Sequence, residues 1–390
     1  MAGKRGDGEG TLRHRTDKDL WEGMYSYRDE LGKLKRRSVY GKTQREASEK
    51  LRAALRTIDQ GETPITERQT VEQFLDRWLV DVARPKLRPS TYASYGQKVR
   101  LYIVPAIGRH QLTKLTAQHV QAMMNGMAGR GLSPRSVQYT RTVLRIALNQ
   151  AVKWGVIGKD VAALTDSPRV ARPEMQALTP TQARGFLDAV RGDRLEALYS
   201  VALALGLRQG EALGLRWKDI DLDGGVLNVR SSLQWLAGEG PQLVEPKTRQ
   251  SRRSLPLTPI LVGQLRAHRT RQRAERLASG ERWQGEEWGL VFANTLGGPL
   301  SKFTLHGQFK KHLTRAGLPD IRFHDLRHSC ASLLMAQGVH PRVVMEILGH
   351  STIALTMNTY SHVLPQAQRD AAALLDQLFT SDRASGLCAG

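Results

Sequence analysis

Strand-like patterns come first along the chain. Three short segments, Thr11 to Arg15, Leu20 to Tyr27 and Leu34 to Tyr40, are separated by charged and glycine-containing turns. A capping box at Thr43 to Glu46 then predicts a helix that ends near Gln60. The pattern predicts a small domain of three strands and one helix in residues 1–62. The side chains expected to fill its core are Trp21, Tyr25 and Tyr27.

Residues 66–165 carry apolar side chains at the spacing of helices. Four helices are predicted, and their start signals are Thr70, Pro89-Ser90, Thr116 and Ser133-Pro134. Polar, proline-containing segments at 61–68 and 166–176 are predicted to be linkers on either side. The aromatic positions of this region are most simply explained as core.

Helices and short strands are mixed in residues 174–382. The clearest strands are Val226 to Val229 and Ser254 to Leu257, which we expect to pair in a hairpin-like sheet. A last helical pattern covers residues 365–379, and residues 383–390 are predicted to be a disordered tail. The predicted fold class is multidomain and mainly α. It combines a small three-stranded β-sheet plus helix, a helical domain and a mixed α+β domain.

The charge balance adds a partner to this picture. The 390 residues include 58 Lys and Arg against 37 Asp and Glu, a net charge of +21. Such an excess favours a polyanionic partner, with nucleic acid first and with solubilising charge or a membrane footprint as alternatives. No apolar run approaches the roughly 20 residues that span a bilayer, and no apolar stretch follows the N-terminal Met-Ala-Gly-Lys-Arg. We therefore expect a cytoplasmic protein with no membrane partner.

Metal chemistry is disfavoured. Only two cysteines occur, Cys330 and Cys388, and neither belongs to a Cys-x-x-Cys or Cys-His cluster. The segment His324 to His328 superficially matches the His-Glu-x-x-His zinc motif, but an aspartate replaces the glutamate base and Arg327 would repel a cation. We expect no metal and no other cofactor, and we interpret His328 as a structural or supporting residue.

The stretch from His324 to Tyr360 concentrates the candidate chemistry. His324 and Arg327 are three residues apart, so on a helix or helix start they share a face and can contact one ligand. An arginine offers paired donors to phosphate oxygens, and an imidazole titrates near neutrality. Downstream, His350 and Tyr360 follow, and a tyrosine hydroxyl can form a covalent intermediate when neighbours neutralise the developing charge. The pattern suits chemistry on a phosphodiester.

Five motif positions, in order, resemble the tyrosine recombinase family, the phage integrases. His324-x-x-Arg327, Leu348-Gly349-His350 and Tyr360 resemble the C-terminal signature of that family. The run Gly206-Leu207-Arg208-Gln209-Gly210-Glu211 resembles its earlier arginine motif, and Lys247 its hairpin lysine. The resemblance in layout extends over almost the entire chain.

This resemblance implies a site-specific DNA recombinase, an integrase that cuts and rejoins DNA through a 3′-phosphotyrosyl intermediate to integrate or excise a phage or mobile element. Tyr360 would attack the phosphate, and Arg208 and Arg327 would hold its non-bridging oxygens. Lys247 would protonate the leaving oxygen, with Arg249, Arg252 and Arg253 as competitors for phosphate contact. His324 would assist proton removal or orient the phosphate, and His350 would hydrogen-bond a non-bridging oxygen. Glu211 would support the site or simply complement a helix dipole.

The resemblance also assigns the domains: an arm-type DNA-binding domain at 1–62, a core-binding (SAM-like) domain at 66–165 and a catalytic domain at 174–382. Cations of the first two domains are then expected to contact DNA, although the third strand could instead be a solvated edge protected by its charge. The predicted contact residues are Arg13, Arg15, Lys35, Arg36, Arg37, Lys98 and Arg135. Arg141 belongs to the same basic set of the helical domain.

The implied partners are double-stranded DNA at attachment sites, three further copies of the chain in a homotetramer on DNA, and accessory factors that bend DNA or direct excision. The C-terminal segment 365–379 would join the copies, or would cover its own domain. Two other functions compete. A type IB topoisomerase-like enzyme would relax DNA but would not need the N-terminal domain, and a non-catalytic DNA-binding regulator would have no use for Tyr360 together with both arginines.

Overall fold

The computed structural model describes residues 10–28, 34–59, 69–171, 176–236, 238–246, 251–350, 352–353, 372 and 375. The chain divides into two compact units between Val170 and Ala171. The expected linker at 61–68 and tail at 383–390 lie outside the described residues, as does nearly all of the helical segment 365–379. Every helix in the described part of the chain is too short or too polar to traverse a bilayer.

The N-terminal sheet consists of β1 (Thr11–Arg15), β2 (Leu20–Arg28) and β3 (Leu34–Gly41), antiparallel and adjacent in that order. Helix α1 (Gln44–Asp59) follows and covers one face of this sheet. Tyr25, Tyr27 and Leu51 are buried between the sheet and the helix. Side chains alternate across a strand, so Ser26, which lies between the two tyrosines, faces the open side of the sheet, as does its cross-strand partner Arg36.

Four continuous helical stretches follow in the described part of the first unit. Their segments are α2 (Val71–Trp78), α3 (Arg84–Lys86), α4 (Pro89–Lys98), α5 (Val104–Ile107), α6 (Ala117–Gly129) and α7 (Pro134–Lys153). π-helical turns at Leu79–Ala83 and Val99–Ile103 join α2 to α3 and α4 to α5. The hydroxyls of Thr70, Thr116 and Ser133 each accept a hydrogen bond from the backbone N–H three residues later, so the predicted start signals act as N-caps.

The second of these helical stretches continues through Pro105. The backbone N–H of Val104 donates to the carbonyl of Val99, which is the wider spacing of a π-turn. Pro105 then occupies the first turn of α5, where a missing N–H costs little. The wide turn thus allows the helix to pass the proline, and the chain turns only after Ile107.

Arg141 is a core residue, which corrects its assignment to the phosphate-contacting set. Its side chain is buried on α7, and its guanidinium donates to the hydroxyl of Thr165 at 2.8 Å and to the carbonyl of Thr165 at 2.7 Å. These bonds tie the end of the helical domain to α7. The charge pattern alone could not distinguish this buried arginine from exposed neighbours such as Arg135.

The second unit is built around a buried helix. Its helices are α8 (Pro180–Ala189), α9 (Glu196–Leu205), α10 (Gln209–Leu213), α11 (Pro259–Ser279), α12 (Gly285–Trp288), α13 (Lys302–Arg315), α14 (Asp325–Ala336) and α15 (Pro341–Leu348). Helix α9 is buried along nearly its whole length, and its Tyr199 packs against Phe186, Phe309 and Phe323. Other helices therefore surround α9, and its C-terminal end is held in a fixed position.

The described part of this unit also contains two small antiparallel sheets. One contains β4 (Ile220–Asp221), β5 (Val226–Val229) and β8 (Arg253–Pro256) in that order, and the other is a hairpin of β6 (Ser232–Leu236) and β7 (Gly240–Val244). Leu227 pairs with Leu255, so the two predicted strands do pair. A Cβ on Gly214 would lie 2.7 Å from the backbone nitrogen of Leu233, which shows how closely the end of α10 packs on β6.

A left-handed glycine joins α9 to α10. Gly206 has φ +59°, which is strained for any residue with a Cβ. A Cβ at this position would also lie 2.3 Å from Cδ2 of Leu348, a fully buried side chain. The turn can therefore be made only by glycine, and it presents the following Leu207-Arg208 pair.

Arg141→Leu is expected to lower the free energy of unfolding of the helical domain by about 2–4 kcal/mol, because Thr165 and nearby carbonyls lose their buried donors. Thermal and urea unfolding monitored by circular dichroism measure this change. Arg135→Leu, the same substitution at an exposed position of the same helix, is expected to change stability by less than about 0.5 kcal/mol. Equal effects of the two variants would contradict the buried role of Arg141.

Gly206→Ala is expected to destabilise the second unit by about 3 kcal/mol or more, through its positive φ and its overlap with Leu348. Gly263→Ala is the matched control, since Gly263 lies in α11 with open space around its Cβ direction. That substitution is expected to raise stability by about 0.5–1 kcal/mol. Urea midpoints of the two variants measure the difference, and a neutral Gly206→Ala would rule out the constrained turn.

Candidate active site

Arg208 is presented by the turn after Gly206 and is held from two sides. Its Nη1 donates to Oε1 of Glu211 at 2.6 Å, and its Nη2 donates to the carbonyl of Gly349 at 3.1 Å. Its backbone N–H also donates to Oε2 of Glu211 at 3.1 Å. The side chain is still 37% exposed, so part of its fork faces outward. An arginine fixed in this way can receive an anion without first being ordered.

Glu211 is shared between two arginines. It is 3% exposed, and its Oε2 also accepts from Nη2 of Arg253 at 3.0 Å. Burial alone would raise the pKa of Glu211, but the charges of Arg253 and Arg208 outweigh burial and hold this pKa below its usual range. The carboxylate is therefore ionised, and it acts as a support for the arginines in addition to its place in the first turn of α10.

Arg327 lies in the first turn of α14 and is 2% exposed. Its Nη1 donates to the carbonyl of Gly206 at 2.8 Å, so the turn that presents Arg208 also binds Arg327. The start of α14 is fixed by Asp325, whose carboxylate accepts from the backbone N–H of Arg322 at 2.7 Å and from its guanidinium. Two segments that are about 120 residues apart in sequence are thereby joined at one carbonyl oxygen.

Cys330 packs behind this junction. It is 3% exposed, and its thiol donates to the carbonyl of Ala204 at 3.3 Å. Its sulfur would lie 3.3 Å from a Cβ on Gly206. Burial raises the pKa of the Cys330 thiol to about 12, so the residue is a protonated packing group rather than a nucleophile.

Three histidines surround the arginines. His324 precedes α14, and its ring packs edge-on against His328 with 5.2 Å between ring centroids. His350 follows Gly349, whose left-handed conformation (φ +65°) ends α15. His350 is 7% exposed, and its backbone N–H donates to the carbonyl of Met345 at 3.1 Å. The glycine thus turns the chain so that His350 lies beside Arg208 and Arg327.

All three imidazoles are held neutral. Burial and the charge of Arg327 lower the pKa of His350 to about 3, and burial together with the neighbouring His324 and Arg327 lowers that of His328 to about 4. Burial, together with Arg327, also lowers the pKa of His324. The positive charge of the site therefore belongs to the arginines, and each neutral imidazole offers one N–H donor and one nitrogen acceptor.

The structure brings Arg208, Glu211, His324, Arg327 and His350 together from three segments of the chain. Lys247 and Tyr360 lie outside the described residues. The described part of the chain contains no group of three or more His, Cys, Asp or Glu side chains that could hold a metal ion. Two arginines with neutral histidines can bind a phosphate and stabilise negative charge that develops on its oxygens.

Sequence reasoning misjudged Arg253. It was treated as a competitor of Lys247 for phosphate, but its side chain is 7% exposed and is bonded to Glu211 and to the carbonyl of Ile347 at 2.6 Å. The signal lay in the alternation of β8, because Arg253 is two residues from the buried Leu255 and so points to the same inner face. Arg252, the next residue, is half exposed and pairs with Glu245.

The predicted DNA-contacting residues of the sheet divide between its two faces. Cross-strand pairing puts Arg13, Arg15 and Arg36 on the open face, whereas Lys35 and Arg37 share the face of the buried tyrosines. Arg37 lies over the ring of Tyr27, with 5.5 Å to its centroid. On the open face Arg13 is bound to the buried Glu22 at 2.7 Å, and Arg15 pairs with Asp17 at 2.5 Å.

In the helical domain Lys98 lies over Tyr102, and Arg135 is exposed at the start of α7.

Acidification is expected to destabilise the second unit between about pH 6.5 and 4.5. Unfolded histidines take up protons near pH 6.5, whereas His328 and His350 stay neutral in the fold until about pH 4 and 3. The unfolded state then binds more protons, so stability falls as pH falls through this window. Thermal midpoints at several pH values measure the slope, which should be smaller in His328→Gln. His306→Gln, at an exposed position of α13, serves as the control, and an equal slope in both variants would contradict this reasoning.

Comparisons with known proteins agree with this arrangement. Residues 176–367 match the model of the phage integrase family, and residues 70–128 match that of the phage integrase N-terminal SAM-like domain. A tyrosine recombinase XerC-like protein of Caldanaerobacter subterraneus subsp. tengcongensis is 32% identical over 368 residues, which cover 90% of this chain and 94% of that protein. An integrase of Streptomyces ambofaciens is 29% identical and matches 97% of this chain and 98% of its own length.

Solved structures share the fold. The Tn1549 transposon integrase in complex with transposon right end DNA superposes with a TM-score of 0.66 at 21% identity, over 78% of this chain and 99% of that one. A lambda integrase dimer bound to a core site has a TM-score of 0.53 at 20% identity, over 92% and 96% of the two chains. These likenesses confirm the predicted fold class. With the identity and coverage of the XerC-like relative, they lead to one conclusion: the chain belongs to the phage integrase family of tyrosine recombinases and is a site-specific recombination enzyme.

Proposed function

We propose that this enzyme cuts and rejoins double-stranded DNA at attachment sites to integrate or excise a phage or mobile element, with Tyr360 as its nucleophile. The observation that carries the proposal is the convergence of Arg208 and Arg327 on one turn, at the carbonyl of Gly206 and beside Glu211. Two fixed guanidinium groups at one place suit the two non-bridging oxygens of a phosphodiester.

The chemistry conserves the number of phosphodiester bonds. The hydroxyl of Tyr360 attacks the scissile phosphorus, the bond to the 5′ oxygen breaks, and a 3′-phosphotyrosyl ester forms. Lys247 gives its proton to the departing 5′ oxygen, and His324, neutral at working pH, accepts the phenolic proton. Attack by a 5′-hydroxyl of the partner strand then reverses these steps and releases Tyr360. No nucleotide cofactor is required, because the ester stores the energy of the broken bond.

The two arginines and His350 act on the phosphate itself. Arg208 and Arg327 neutralise the non-bridging oxygens, where charge accumulates in the transition state. His350 has a lowered pKa, so as a neutral imidazole it donates one N–H to an oxygen. An incoming phosphate would raise the pKa values of these histidines toward neutrality, because it opposes the arginine charges that lower them.

The domain assignment, the DNA contacts and the assembly belong to the same proposal. Residues 1–62 would bind arm-type DNA, residues 66–165 the core site and residues 174–382 the scissile phosphate. Lambda integrase, a structural neighbour, has been solved as a tetramer bound to a Holliday junction. We infer that this enzyme also forms a homotetramer on DNA, and that segment 365–379 joins the copies. It would act in the cytoplasm, where its DNA is. Accessory factors would bend the DNA or direct excision.

The proposal is tested with two plasmids that carry candidate attachment sites taken from DNA flanking the coding sequence. The wild-type enzyme is expected to produce recombinant plasmids and a covalent protein–DNA adduct that is trapped by denaturation. Tyr360→Phe, which removes only the nucleophilic oxygen, is expected to bind the same DNA but to give neither product. Gel electrophoresis of protease-treated and untreated samples measures both.

Three results would contradict the proposal. Relaxation of any supercoiled plasmid without exchange would indicate a topoisomerase, and sequence-specific binding without adduct from the wild-type enzyme would indicate a regulator. Adduct formation by Tyr360→Phe would exclude Tyr360 as the nucleophile.

A further inference from the structure

Arg253 occupies an unusual place for an arginine beside a phosphate site. Its Nε donates to the carbonyl of Ile347 at 2.6 Å, its Nη1 to the carbonyl of Ser251 at 3.1 Å and its Nη2 to Glu211 at 3.0 Å. Its side chain is 7% exposed, against 37% for Arg208. All three nitrogens of its guanidinium thus have protein acceptors, and little of the group faces outward.

Arg253 binds one support of Arg208 directly and holds the helix end that carries the other. One support is the carboxylate of Glu211, and Arg253 contacts its Oε2 while Arg208 contacts its Oε1. The other support is the carbonyl of Gly349, two residues after Ile347, whose carbonyl accepts from Nε of Arg253. The same short segment continues into His350. One guanidinium therefore joins β8, α10 and the end of α15 at the place where they present Arg208 and His350.

We propose that Arg253 is a positioning residue of the recombination reaction, which acts through Glu211 and the end of α15 to fix the guanidinium of Arg208, and that it is not a phosphate ligand. A lysine could not replace it, because one ammonium cannot reach acceptors that lie in three directions with the planar geometry of a guanidinium. Without Arg253, Glu211 would remain bound to Arg208 but would be free to move with it. Small displacements of such a group cost large factors in rate.

The inference rests on the proposed function, and its test uses the attachment-site duplex recovered there. A nicked form of that duplex traps the covalent adduct, so a single turnover at saturating DNA measures the rate of strand cleavage. Arg253→Gln is expected to lower this rate about 10–100-fold, with a Kd for the duplex within about threefold of wild type. Arg253→Lys, which keeps the charge, should remain impaired.

A double variant separates positioning from direct phosphate contact. Because Arg253 acts through Arg208, adding Arg253→Gln to Arg208→Lys should lower the rate by no more than about threefold beyond Arg208→Lys alone.

Arg194 provides the matched control. It binds both carboxylate oxygens of Glu275, at 2.6 and 2.7 Å, and the carbonyl of Ala293 at 2.8 Å, so it resembles Arg253 in its bonding but lies outside the site. Arg194→Gln is expected to lower thermal stability while each folded molecule cleaves at the wild-type rate. Should Arg253→Gln fail to fold, Arg253→Lys carries the same comparisons.

The outcomes are distinct. Cleavage by Arg253→Gln at the wild-type rate, or a fully additive double variant, would each overturn the positioning role. A wild-type enzyme that forms no adduct would instead overturn the proposed function, and the inference with it.

Discussion

The catalytic unit depends on holding two guanidinium groups beside each other before any anion is bound. Like charges repel, and this repulsion is strong where water is excluded. The chain meets this constraint with one buried carboxylate, Glu211, and with the carbonyls of Gly206 and Gly349. Both glycines have left-handed backbones at helix C-terminal ends, where unsatisfied carbonyls are available as acceptors. The local geometry of two helix ends thus becomes the means of placing Arg208 and Arg327.

The state of the histidines follows from the same constraint. A site that already contains Arg208, Arg327 and Arg253 cannot also hold protonated imidazoles at low cost, and burial adds to the penalty. The histidines are neutral, so they are able to act as hydrogen-bonding and proton-accepting groups rather than as charges. This division gives the arginines the electrostatic role, which does not change with pH, and leaves proton transfer to groups that can change state.

The sequence predicted the elements well because its local signals were strong. Thr70, Thr116 and Ser133 cap the helices that their positions indicated, and the strands at 226–229 and 254–257 pair. The motif spacing also brought Arg208, His324, Arg327 and His350 into one candidate site. The roles of Lys247 and Tyr360 stay predictions, since both lie outside the described residues.

Burial of charged side chains was much harder to predict. The charge pattern places Arg141 among the phosphate-contacting residues and makes Arg253 a competitor of Lys247, yet each has its donors committed inside the protein. An arginine in a basic segment looks the same in sequence whether it meets a phosphate or a buried acceptor, because the acceptors come from distant parts of the chain. The sheet shows the same difficulty, since its register sends Lys35 and Arg37 to one face and Arg36 to the other.

Burial of Cys330 affects how its thiol reacts with oxidants and alkylating reagents. The reactive form of a cysteine is the thiolate, and a pKa of about 12 makes that form very rare at neutral pH. Its sulfur is also shielded behind the turn that carries Arg208. Oxidants and alkylating reagents that inactivate many cysteine-containing enzymes are therefore expected to react slowly with this buried thiol.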